Sequence, residues 1–105
     1  MQINVILHND VKRQLSEKAG VFIMDDYVIN GRKHWISPNG YAIWNFKDVW
    51  FIGSTKYLGT DISFMVLLFP VQCPHQANGK WKFWNGNNFV DAGNNIQVKQ
   101  SKTGT

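Results

Sequence analysis

The sequence predicts an all-β fold: a small antiparallel β-sandwich or barrel of about six to eight short strands, with one short amino-terminal helix. Three observations carry this. Turn signals recur at short intervals, at Asn30-Gly31, Pro38-Asn39-Gly40, Gly53, Gly59, Asn78-Gly79, Asn85-Gly86 and Gly93. Asn-Gly in particular supplies the positive φ angles of a type I′ hairpin turn. Runs of aromatic and β-branched residues lie between these signals, as short antiparallel strands require. Finally, aromatic residues make up 14% of the chain, with five Trp, seven Phe and three Tyr. Each such ring buries about 150–250 Å², so a few of them fill a small core.

Taken in order, the candidate strands are 2–7, 20–25, 32–37, 41–46, 49–53, 62–69, 80–84 and 94–99. Between the first two, residues 10–20 break the pattern. Asp10 is placed to cap a helix, Val11, Leu15 and Ala19 recur every four residues, and Gly20 is placed to end it. In 32–37 one side reads Arg32, His34, Ile36 and the other Lys33, Trp35, Ser37. Neither side is cleanly apolar, which points to a strand near a sheet edge. In 41–46, Ala42, Trp44 and Phe46 share a face opposite Tyr41, Ile43 and Asn45, so Trp44 is a core candidate. The segments 49–53 and 62–69 are apolar on both sides and read as central strands. In 80–84, alternation groups Trp81 with Phe83 and sets Lys80, Lys82 and Trp84 on the other face, with Trp84 exposed. The termini echo each other in Ile3-Asn4-Val5 and Ile96-Gln97-Val98, alternating triplets suited to terminal strands.

A chain of 105 residues forms one core. Residues 1–99 are read as a single Trp-rich β domain, and 100–105 as a polar tail that is mobile unless a partner holds it. The formal net charge is +4, but the basic residues are scattered. The densest are Lys80 and Lys82, with Lys99 and Lys102 near the carboxyl end, whereas phosphate-tracking proteins gather theirs on one face. Nucleic acid is therefore not the expected partner. Cys73 is the one cysteine, so no intrachain disulfide forms, and the compartment stays open. The amino-terminal run has no apolar stretch of secretion-signal length. The longest apolar stretch, 64–71, includes Pro70 and is far short of the ~20 residues of a transmembrane helix.

Residues with chemical potential do not assemble into a catalytic pattern. Cys73-Pro74-His75 offers two soft ligands, whereas a structural zinc site takes about four. A Cys-His nucleophile pair needs hydrogen-bond reach and a third orienting group, which adjacent positions rarely provide. Asp25 and Asp26 are neighbours, and on a strand they point to opposite faces; a solvated turn before Tyr27 is the simpler reading. Asp48, Asp61 and Asp91 stand beside turns or strand ends, where Asp bonds nearby backbone amides. The glycines match no phosphate-binding loop. The expectation is a non-enzyme with no cofactor and no metal.

An ordered signature runs along the chain: Gly20-Val21-Phe22, Asn30-Gly31-Arg32, Tyr41-Ala42-Ile43-Trp44, Trp50-Phe51-Ile52-Gly53, Trp81-Lys82-Phe83-Trp84 with Asn85-Gly86, and Ile96-Gln97-Val98. It resembles a small Trp-rich β module that recurs in multidomain proteins of marine invertebrates and protists. That pattern runs Gly-x-Tyr, Asn-Gly-Arg-Pro-x-Tyr, a Tyr-rich strand, Trp-x-Ile-Gly and a closing Trp-x-x-Trp before the last strand. The resemblance spans most of the chain. Here Lys33 replaces the proline and Trp35 the tyrosine, and 62–69 is more apolar than the pattern. The module has no settled activity, so the resemblance implies a building-block role rather than a reaction.

The expected function is that of a protein-interaction or assembly module, or a subunit of a larger complex, meeting its partner through an edge strand or an aromatic face. The candidate binding group joins Lys80, Lys82 and Trp84, with Arg32 and His34. Lysine stems covering a tryptophan are the competing reading of that group. The alternative function is a carbohydrate-binding module, with coplanar exposed rings stacking on sugar faces and the Asn-rich stretch 85–95 bonding hydroxyls. Turn chemistry is the simpler account of those asparagines.

Overall fold

A computed structural model describes residues 1–101 of the chain. Within them, nine antiparallel strands form one sheet. They are β1 (Gln2–Leu7), β2 (Gly20–Ile29), β3 (Arg32–Ile36), β4 (Tyr41–Phe46), β5 (Val49–Ser54), β6 (Met65–Leu67), β7 (Trp81–Trp84), β8 (Phe89–Asp91) and β9 (Ile96–Ser101). One short helix, α1 (Asn9–Leu15), continues into a 3₁₀ turn at Ser16–Lys18. The strand order is β8-β7-β6-β5-β4-β3-β2-β1-β9.

The short connection from β8 to β9 dictates the shape. Those strands lie at opposite edges of the sheet, yet only residues 92–95 join them. Flat, nine strands about 4.8 Å apart would separate the edges by about 38 Å. Five steps of extended chain reach only about 18 Å. The sheet therefore curls into a half-barrel that brings its edges together.

The inside of the curl is the main core. Every strand contributes to it: Ile3, Val5 and Leu7, then Phe22, Trp35, Ile43, Trp50 and Ile52, then Met65, Leu67, Trp81 and Phe83, and last Ile96 and Val98, with Val90 of β8 packed against them. The echoing termini are neighbours, with Val5 opposite Val98 and Leu7 opposite Ile96. Val11 and Leu15 of α1 join this core, so the helix closes the end of the curl where β1 finishes and β9 begins. Outside the curl, Ala42, Trp44, Phe51 and Val66 form a smaller cluster. The connection after β5 covers it, and the Trp44 Nε1 donates to the Thr60 carbonyl at 2.7 Å.

Several expectations change. The strands number nine rather than six to eight, because Phe89–Asp91 forms a short edge strand beside the Asn85-Gly86 turn. β3 is interior, flanked by β2 and β4; its polar residues Arg32 and Lys33 mark one end of the strand rather than an edge. Only Met65–Leu67 of the apolar run 62–69 enters the ladder. The helix begins at Asn9, after His8 in the capping position without a side-chain cap bond, and Asp10 falls in its first turn, paired with Arg13, a favourable place for a carboxylate. Gly20 has φ +114° and turns the chain out of the helical segment into β2. β9 continues through Gln100 and Ser101; the rest of the expected tail, with Lys102, lies outside the described residues.

The two hairpins that flank one end of the sheet reach the same turn by different means. Asn30 and Gly31 have φ of 55° and 82°, while Lys47 and Asp48 hold 53° and 65° with no glycine. Asn30 also donates from Nδ2 to the carbonyls of Asn45 and Gly59, both at 3.0 Å, tying its hairpin to β4 and to the connection after β5.

Candidate functional site

The residues expected to bind are divided by the fold. Lys80 and Lys82 line one hollow, of about 570 Å³, with Leu68, Phe69, Pro70 and Asp91. Arg32 lines another. His34 is buried, and its Nδ1 has no hydrogen-bond partner; burial in the middle of the sheet removes it from any surface. Trp84 is exposed, on the β7 face that carries Lys82.

The first hollow lies beside β7, where the chain runs on past the end of β6. After Leu67 the backbone leaves β6, and Leu68 and Phe69 stand 56% and 51% exposed. Across from them, the Lys80 Nζ lies 6.0 Å from the Phe69 ring centre. The Lys82 Nζ meets the Asp91 carboxylate at 3.1 Å, through the cross-strand register that sets Lys82 opposite Asp91. Two ammonium groups and one carboxylate leave this rim positive.

The second hollow, of about 730 Å³, is lined by residues that include Met24, Arg32, Lys33, Trp35, Asp48 and Trp50. Met1, Met24 and Lys33 belong to the end of the curl opposite α1, so this is the open mouth of the half-barrel. Trp35 and Trp50 form its base, ring centres 5.9 Å apart and edge to face. The Trp50 Nε1 donates to the Val71 carbonyl at 2.9 Å. Arg32 reaches the Val71 and Gln72 carbonyls at 3.5 and 3.3 Å and the Asp48 carboxylate at 3.3 Å. These bonds hold segment 70–73 as one wall of the mouth. The sequence signal for this grouping was the Asn-Gly-Arg turn, but its long-range partners are set by the curl.

Of the five tryptophans, Trp35, Trp44, Trp50 and Trp81 are buried and Trp84 is 40% exposed. Phe89 stands edge-on to Trp84, with ring centres 5.2 Å apart and planes at 65°. Two of the asparagines of 85–95 bond within the chain: Asn85 Oδ1 accepts from the amides of Asn87 and Asn88 at 2.9 Å, closing a turn, and Asn95 Oδ1 accepts from the Asn9 Nδ2 at 2.8 Å. Asp25 Oδ1 likewise accepts from the Tyr27 amide at 2.9 Å, inside a bulge where the β2–β3 register shifts between Asp25 and Val28. Tyr27 projects from that bulge.

Cys73 is a free thiol opening the 3₁₀ turn at Pro74–Gln76, and its backbone amide donates to the Gln76 Oε1 at 2.9 Å. Among the described residues, no three His, Cys, Asp or Glu side chains gather as a metal site. No helix among them is long and apolar enough to cross a membrane. Comparison with protein-family models found no match, and neither the curated proteins nor the solved structures yielded a significant match.

Proposed function

We propose that this is a non-catalytic protein-interaction module, and that it binds an acidic, apolar segment of a partner in the hollow beside β7. The observation that carries this reading is the pair Leu68 and Phe69, each more than half exposed beside Lys80 and Lys82. Large apolar side chains that stand together in water and are rimmed by polar groups characterise protein-binding surfaces. Apolar anchors on the partner bury Leu68 and Phe69, while its carboxylates face Lys80 and Lys82; the charge sets orientation and encounter rate more than affinity. Trp84, on the same β7 face, extends the surface toward β8. A building-block role is also what the resemblance to the Trp-rich module implies.

Displayed random peptides, selected on the folded protein alone and afterwards assayed against a Phe69→Ser, Lys80→Glu variant, test the proposal. We expect enriched peptides that combine Asp or Glu with aromatic or aliphatic residues and bind the variant at least about tenfold more weakly, the loss of about 1.4 kcal/mol or more. Absence of enrichment, or equal binding to the variant, would sink the reading.

A further inference from the structure

The open mouth of the half-barrel is a second hollow, which shares Pro70 with the one beside β7 but is otherwise lined by different residues. We infer that it binds a small organic monoanion with a flat apolar body, such as an aromatic carboxylate, with the carboxylate on Arg32 and the ring against Met24 and Trp35. The volume, about 730 Å³, lies within the range of about 300–1,000 Å³ usual for small-molecule sites, which favour the mouths of β-barrels and combine apolar linings with a few polar groups.

The charge of the lining selects an anion. Arg32 and Lys33 are cationic and Asp48 is the one carboxylate among the lining residues. The Arg32 guanidinium is held in position, 5.9 Å from the Trp50 ring centre and between two backbone carbonyls. Its bonds are nonetheless long, 3.3 to 3.5 Å, against about 2.7–2.9 Å for a well-made charge-assisted bond. Asp48, with its side chain 78% exposed, surrenders Arg32 to a ligand and remains hydrated.

Naphthoate is a suitable probe, with naphthalenemethanol and naphthylmethylammonium as neutral and cationic counterparts. Cys73 lines the mouth and is the chain's one cysteine, so its alkylation rate by iodoacetamide reports occupancy there. We expect naphthoate to slow alkylation saturably, and both counterparts to bind at least about tenfold more weakly, as loss of a charge-assisted bond implies. Asp48→Asn is the decisive variant. Asn tolerates the left-handed backbone at φ 65° and removes the competing carboxylate, so naphthoate should bind several-fold more tightly, a gain that misfolding cannot produce. Equal affinity for the neutral counterpart, binding that leaves Cys73 unprotected, or no tightening in Asp48→Asn would each overturn the inference.

Discussion

Trp44 decides what can stand at position 53. A Cβ added to Gly53 would lie 2.9 Å from the Trp44 Cη2 and 3.0 Å from the Ser63 Cα, and the second of these is backbone that cannot swing aside. Gly53→Ala should therefore lower stability by about 1–3 kcal/mol, as overpacking does, read from urea unfolding. Lys18 is a second single-residue determinant that the sequence did not mark. It is buried, with its Nζ 4.4 Å from the Phe64 ring centre, 5.3 Å from that of Tyr41 and 3.0 Å from the Glu17 carboxylate. Lys18→Ala loses both the packed stem and the ring contact, and we expect a cost of about 1–3 kcal/mol. The tryptophans were partly legible. Alternation placed Trp81 inside and Trp84 outside, because β7 separates its two faces; it also marked Trp44 as core, but β4 is buried on both faces, and Trp44 fills the smaller cluster outside the curl while Ile43 opposite joins the main core. Trp35 shares its face with Lys33 and Ser37, so only the curl, which sets Trp50 against it, reveals that it is buried. Acrylamide should reach Trp84 alone, and Trp84→Phe should abolish the quenchable emission; quenching that persists in the variant would mean another ring is open to solvent.

At the scale of elements, the vulnerable feature is β9, an edge strand. The Asn78 side chain covers part of it in the manner of one more residue of strand: its Nδ2 donates to the Val98 carbonyl at 3.2 Å and its Oδ1 accepts from the Val98 amide at 2.8 Å. The sequence showed Asn78-Gly79 as a turn, and Gly79, at φ +91°, does turn the chain. It gave no sign that the asparagine clamps a strand some twenty residues on, because that contact exists only once the sheet has closed. Asn78→Ala should cost about 1–2 kcal/mol for the two lost bonds and should speed hydrogen exchange at the Val98 amide; unchanged exchange there would contradict the clamp. The same limit explains β3 and β8. Composition distinguishes an edge from an interior strand only when the whole strand shares one environment, and β3 runs from a polar mouth into the core. A three-residue strand such as β8 is too short for alternation to register.

For the whole molecule, all-β character, the amino-terminal helix and most strand positions were legible, since hairpin turns and alternation are local. The choice between sandwich and barrel was not, because the single curled sheet follows from a four-residue connection between two edges whose positions depend on every intervening pairing. The candidate site divides along the same line. Lys80, Lys82 and Trp84 were placed together by alternation within one strand, whereas Leu68 and Phe69 were read as strand and proved to be surface. The proposed function rests on that exposed pair, and amide chemical-shift mapping with a display-selected peptide tests it most directly. The shifts should cluster at Leu68, Phe69, Lys80, Lys82 and Asp91. Shifts centred instead on Met24, Lys33 and Trp35, or spread over the exposed Val21 and Ile23 of β2, would show that the partner binds elsewhere and that the hollow beside β7 is not the recognition surface.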